Sequence, residues 1–272
     1  MAHGQKINPT TTAPTGGAWR SRAWGRLYVA SVLVAGCGAA HAQASGYNWG
    51  WYIFDPAKEK GRSNLDFLIG GAWATLSVSL CAILLSVVLG SLVALAGLSP
   101  RKSLNRINRV YVELFRSVPL LVLLLWVFYG LPVIIGLQLS VFVTGVVSLA
   151  VSDSAFEAEV FRAGIQSVPK GQIEAARSLG LSWAQQMRLV VLPQAIKVIL
   201  PALGNQFVYV LKMSSLISVI GLPELTRRAN ELNVNEYRPL EIYTLLVAEY
   251  LILILVVSFL VRGLERRMAT SH

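Results

Sequence analysis

Charge is scarce in this chain: Asp, Glu, Lys and Arg make up 14% of its 272 residues, against roughly 25% in an ordinary soluble domain. Cysteine is scarcer, with only Cys37 and Cys81, both inside apolar stretches. Neither a disulfide framework nor a metal cluster is therefore expected. The three histidines, His3, His41 and His272, fall in terminal segments or a signal-like one, which leaves no imidazole for chemistry in the core. The short catalytic motifs are missing too. No G-x-x-x-x-G-K-S/T phosphate loop occurs, and no G-x-S-x-G, H-E-x-x-H or C-x-x-C, so catalysis by this chain, including ATP hydrolysis, has no local support.

Apolar sequence is abundant, at 54% of residues with a mean hydropathy of +0.57. The net charge of +10 would suit nucleic acid only if the basic residues shared a polar face. They stand instead between long apolar runs, which is the pattern of a multi-pass membrane protein.

Residues 1–18, rich in Thr, Gly, Pro and Ala, read as a disordered polar tail. Arg20, Arg22 and Arg26 then precede an apolar run from Leu27 to Gly36 and the small-residue sites Ala40-His41-Ala42 and Ala42-Gln43-Ala44. This is the order of a secretory signal, with an uncleaved short anchor as the alternative, so 1–44 is set apart as a tail plus a signal-like or anchor segment. Val34-Ala35-Gly36-Cys37 also faintly matches a lipid-attachment box. Segment 45–66, with Trp49, Trp51 and Tyr52 among charges, reads as a periplasmic interfacial segment.

A transmembrane domain is expected over 67–262. Phe67 to Leu98 is 32 residues without a charge, roughly 48 Å as a helix, which fits one tilted span. Gly90, Ala94 and Gly97 fall on nearly one face of it, a seam for close helix packing. Val118 to Ser152 is 35 uncharged residues, too long for one span; Pro132 and Gly136 are taken as the break between spans at 118–134 and 138–156. Leu192 to Leu222 is interrupted by Pro193, Pro201, Asn205, Gln206, Lys212, Ser214 and Ser215 and is expected to be a broken helix. A last span covers 242–261 and contains Glu249, with 263–272 as a cytoplasmic tail. Segments 99–116, 159–193 and the C-terminal end carry twelve Lys and Arg against six in 45–66 and 223–240. That asymmetry places the former group, and the C-terminus, in the cytoplasm.

The segment Pro169 to Pro193 reads as two short helices. The first follows Pro169 and stops at Gly180; the second opens on Ser182 with Gln185 in capping-box spacing. Glu174, with the small Ala175 and Ala176, leaves a side of this knob able to enter a partner's cleft, unless the pair is simply a solvated surface. The string Glu174-Ala175-Ala176, Gly180 and Val190-Val191-Leu192-Pro193 resembles the cytoplasmic loop of permease subunits of bacterial ATP-binding-cassette importers. Ala72-Trp73-Ala74-Thr75-Leu76-Ser77, Glu113-Leu114-Phe115-Arg116-Ser117-Val118-Pro119 and Ala158-Glu159-Val160-Phe161-Arg162-Ala163-Gly164 are similar to the branch that carries histidine, glutamine and glutamate. Lys212-Met213-Ser214-Ser215-Leu216 departs from it at the residue after the lysine, where the branch commonly has an acid or amide.

The resemblance implies an all-α, five-span ABC-importer permease fold with a cytoplasmic coupling-helix loop over 159–193. It implies a second permease copy or sister permease, two ABC ATPase subunits holding ATP and Mg, a periplasmic solute-binding protein, and alternating access. No cofactor belongs to this chain itself, and no nucleic acid partner is expected. The coupling residues are Gly171, Glu174, Ala175, Ala176, Gly180, Leu192 and Pro193. The cargo expected is a polar amino acid, with an opine, cystine or a compatible solute as alternatives.

Asn205, Gln206, Lys212 and Glu249 are candidates for the translocation path, because an intramembrane charge is costly and demands a partner. The alternative is structural: Lys212 and Glu249 paired with each other or with the two amides. Glu159 and Arg162 are expected to form an i,i+3 ion pair. A rival reading, an ion-coupled secondary transporter, would give Asp153, Glu249 and Lys212 the work of carrying ions.

Overall fold

The computed structural model describes residues 46–269; the tail and signal-like segment expected over 1–44 lie outside the described residues. Tyr47 and Trp49 stack edge to face with centroids 5.3 Å apart at the described end of an N-terminal unit. The helical unit begins at Gly50. All regular structure among its described residues is helical.

A 3-10 turn, Trp51–Phe54, buries Ile53 and Phe54 and leads into α1, Glu59–Gly97. The span predicted from Phe67 thus starts eight residues earlier, because the charges of 59–66 stop the apolar run without stopping the helix. Asn64 donates to the Ile53 carbonyl at 2.9 Å, which ties the turn to the first helical turns.

Next is α2, Lys102–Ser117, predicted only as a charged connection, and α3, Leu120–Ile135, bent from it by 99°. Pro119 caps α3, and a residue before proline is pushed out of the α region; Val118 is accordingly extended. Pro132 does not break the chain as predicted. It sits in the first turn of Leu131–Ile135, after a π turn at Trp126–Gly130, where a missing N–H is tolerated. The stop is Gly136 alone, in the left-handed conformation at φ 69°.

Helix α4, Val141–Gln166, is capped by Ser140 and runs ten residues past the predicted end at 156. It makes the most extensive helix–helix contact of the fold with α1. Gly90 and Ala94 form the seam: a Cβ on Gly90 would lie 2.5 Å from the Glu157 Cβ and 3.0 Å from the Ser154 carbonyl, and Ala94 is buried. Gly97 instead receives Asn108 of α2, whose amide donates to the Val93 carbonyl at 2.8 Å.

After α5, Lys170–Ser178, and α6, Trp183–Gln186, comes a π turn at Met187–Val191 and then α7, Leu192–Met213. The expected broken helix is broken at its ends rather than at its prolines. Pro193 occupies the first turn and Pro201 is carried inside α7, while a 3-10 segment, Ser214–Ile220, ends in Gly221 at φ 94°. Helix α8, Leu225–Glu236, follows, and α9, Pro239–Ala269, closes the fold. Val78, Ala82, Leu124, Leu149, Val210 and Ile217, contributed by α1, α3, α4, α7 and the 3-10 segment, make the main core.

Glu224 fixes the entry to α8. Its carboxylate accepts from the Arg227 and Thr226 backbone N–H groups at 2.7 and 2.9 Å and from the Tyr250 hydroxyl at 2.8 Å. Burial pushes this carboxyl up from its ordinary value, and those donors hold it down. Among the described residues four helices are long and apolar enough to cross a membrane, and five if the bent pair α2–α3 counts as one span.

Candidate functional site: a helical knob between two spans

Between the ends of α4 and α7 the chain leaves the span bundle as α5 and α6. Pro169 caps α5 and Ser178 ends it. The Gly180 N–H donates to the Arg177 carbonyl at 3.0 Å and the Leu181 N–H to the Ala176 carbonyl at 3.2 Å, a reversal that Gly180 completes at φ +76°. Nothing lies within 4 Å of a Cβ placed there, so backbone conformation rather than space demands glycine. The capping box forms: the Gln185 N–H donates to Ser182 Oγ at 3.4 Å, and the Ser182 N–H donates to Gln185 Oε1 at 2.8 Å. Gln186 adds a bond to the Leu181 carbonyl at 2.6 Å.

One face of the knob is anchored. Ile173 joins Val168 at the end of α4, Val191 in the π turn, and Ala195 and Ile199 in α7. Gln194 of α7 donates to Gln172. The other face is bare. Glu174, Ala175 and Gly171 are exposed, beside Leu179 at 80% and Trp183 at 69% exposure. Ala176 departs from the expectation: it is buried and packs inward, since at 100° per residue it shares a face with Ile173. Leu192 and Pro193 are exposed at the root of α7. Leu179 and Trp183 were not singled out from sequence; large apolar side chains in otherwise polar short helices were the signal.

Residues 56–270 match the family described as the binding-protein-dependent transport system inner membrane component. The chain belongs to that family. The permease is 39% identical over 209 residues to a probable glutamine ABC transporter permease of Bacillus subtilis, covering 77% of this chain and 96% of that protein. It is 37% identical over 205 residues to the glutamine transport system permease of Escherichia coli K12, covering 75% and 94%. A crystal structure of an amino acid ABC transporter with histidines superposes with a TM-score of 0.70 at 43% identity, covering 75% of this chain and 94% of that one. The permease is accordingly an all-α, multi-pass protein of the inner membrane.

Two of the four intramembrane candidates share a cavity. Asn205 and Lys212 line a cavity of about 400 Å³ between α7 and α9, together with Tyr209, Arg262 and Glu265. Gln206 points elsewhere, donating to Asp153. Glu249 is outside that cavity, and its Oε2 is buried without a hydrogen-bond partner. Of the structural alternatives, the pairing of Lys212 with Glu249 is corrected, since no such ion pair forms among the described residues. Glu159 and Arg162 do pair, with Arg162 Nε 3.2 Å from Glu159 Oε1 and a second guanidinium nitrogen on Oε2, and Gln166 accepts a third bond from the guanidinium.

Asp153, which the sequence offered only as an ion carrier in the rival reading, is a polar tie between helices. It is buried, accepts from Ser86 Oγ of α1 at 2.6 Å and from Gln206 of α7, and so joins three helices at one carboxyl. One turn on, Glu157 is fully buried with neither oxygen hydrogen-bonded. Asp153→Ala leaves the buried Ser86 hydroxyl without its acceptor, at about 1–3 kcal/mol, and the half-buried Gln206 amide without its partner as well. We expect a lower thermal midpoint for it in detergent, with Asp153→Asn losing less because one acceptor remains. An unchanged midpoint for the alanine variant contradicts the tie.

Proposed function

We propose that this chain is the translocating subunit of an ATP-driven importer that carries polar amino acids by alternating access. The carrying observation is the knob: exposed Glu174, Leu179 and Trp183, set among exposed Lys170, Arg177 and Arg188, held by packing on the ends of two spans at once. The exposed Leu179 and Trp183 fit an apolar cleft on a partner, with Glu174 available to pair with a basic group there. In this reading the partners are two ABC ATPase subunits, which hold ATP and Mg, with a second permease copy or sister permease and a periplasmic solute-binding protein. The absence of a phosphate loop in the sequence agrees with placing the nucleotide on another chain.

The mechanism follows from the anchoring. When the ATPases close, they push on α5 and α6. Ile173 delivers the displacement to Ile165 on α4 and Val168 just past its end, and to Val191 and Ala195 at the root of α7, because a packed apolar cluster moves as a unit rather than compressing. Both spans then tilt, and the side to which the pore opens changes; ATP binding and solute access are coupled through a two-state element. The knob and the C-terminus face the cytoplasm. Glutamine and its polar relatives are the cargo class, on the strength of the similar permeases named above.

The test is uptake in proteoliposomes holding the permease with its co-purifying partners. Glutamine uptake that requires both the ATPase and ATP is expected. Uptake driven by an ion gradient in the absence of the ATPase overturns the reading and transfers the work to Asp153, Glu249 and Lys212.

A further inference from the structure

Helix α2 has three faces. Asn108 and Val112 are buried against α1 and α4, and Tyr111 bonds Ser154 Oγ at 2.7 Å. Ile107, Val110 and Leu114, spaced i, i+3 and i+7, are left 53–63% exposed, and no helix of the described fold covers them. On the adjoining flank Lys102, Arg106 and Arg109, spaced i, i+4 and i+7, border with Asn105 a shallow cleft of about 250 Å³. None of these three cations makes an ion pair among the described residues. Arg116 is engaged over the Phe156 ring at 5.1 Å, and Glu113 is the one acidic residue of the helix.

The 99° bend sets α2 across the direction of α3, so it does not continue that span. Its packing partners Val93 and Gly97 lie in the last two turns of α1. The helix therefore sits at the rim of the bundle, at the same end as the knob, where α1 stops and α4 goes on towards α5.

We propose that α2 is an anionic-phospholipid site. The Ile107–Val110–Leu114 face rests in the acyl boundary of the adjoining leaflet, and Lys102, Arg106 and Arg109 hold the phosphate of an anionic headgroup in the cleft. The occupant follows from the two faces together. An acidic protein surface would satisfy the cations and leave the apolar stripe in water, whereas a lipid offers phosphate and hydrocarbon side by side, as the two adjoining faces require. Guanidinium groups suit phosphate through paired N–H donors, and each cation near an anionic surface adds to the attraction. The site is independent of which solute is carried.

Native mass spectrometry of the full-length permease with its partners, titrated with phosphatidylglycerol or phosphatidylcholine, tests this directly. The wild type should retain phosphatidylglycerol in preference to phosphatidylcholine. The triple variant Lys102→Gln, Arg106→Gln, Arg109→Gln should bind phosphatidylglycerol about tenfold more weakly or worse, and Arg106→Lys with Arg109→Lys should keep most of the binding. All the substituted side chains are exposed, so the variants should fold. Equal retention of phosphatidylglycerol by wild type and triple variant overturns the proposal. So does equal binding of the two lipids by the wild type, displacement of the lipid by inorganic phosphate beyond that by chloride at matched ionic strength, or loss of the ATPase from the triple variant with lipid binding unchanged.

Discussion

Glu174→Arg should leave a folded, membrane-inserted permease whose ATP-driven uptake is reduced at least tenfold. The side chain is exposed on α5. It has no hydrogen bond or ion pair within the described residues; the bond that Ser178 makes at this position goes to the backbone carbonyl. Reversing the charge therefore costs the chain itself little. All the damage falls on whatever faces Glu174, where losing one member of a buried charge pair costs about 2–5 kcal/mol. Gly180→Val should be comparably severe by another route. At φ +76° a β-branched residue is strained by about 1–3 kcal/mol, and the turn that aims α6 relaxes. Gly180→Asn, which tolerates the left-handed region, should retain more uptake than Gly180→Val. Uptake and ATPase co-purification measured side by side decide the matter. Full uptake by Glu174→Arg, with the ATPase bound as in wild type, removes the knob from the coupling role.

Gly90→Leu should abolish most of the folded protein. The Cβ alone would meet the Glu157 Cβ at 2.5 Å, the Ser154 carbonyl at 3.0 Å and the Ala158 nitrogen at 3.2 Å. Two of these are backbone atoms and cannot rotate aside, so α1 and α4 would have to separate along their most extensive contact. Overpacking of a close-packed site costs about 1–3 kcal/mol even where side chains can adjust, and here the Ser86–Asp153 bond would be stretched as well. Monodisperse yield by size-exclusion chromatography reads the effect. Gly90→Ala should be the milder of the two, and wild-type yield from Gly90→Leu would mean that the seam is looser than its distances indicate.

The knob was legible in the sequence because its signals are local. Pro169 before a helix, Gly180 after one, and Ser182 with Gln185 at capping-box spacing each act within one turn. The small-residue seam of α1 was legible for a similar reason: Gly90 and Ala94 share a face by helical period alone. Helix ends were read less well. Charges at 59–66 and 157–166 end an apolar run, but a helix leaving the hydrocarbon continues in water or against neighbours, as α1 and α4 do. Prolines misled in the same way. Pro132 and Pro193 stand in first turns where their missing N–H is not needed, and Pro201 is held inside α7.

By itself the sequence determined that the chain is a helical membrane protein with few spans and a helical knob between two of them, and that it carries no phosphate-loop motif. Hydropathy, capping and motif absence are properties of contiguous residues and survive without any knowledge of neighbours. Only the tertiary structure decided which intramembrane polar groups meet. Asp153 collects Ser86 and Gln206 from helices distant in the chain, Lys212 joins Asn205 in a cavity, and Glu249 stands apart from both. Helical period places a side chain on a face of its own helix, but the depth and rotation at which two helices cross are set by packing summed over the whole bundle, and those fix every partner.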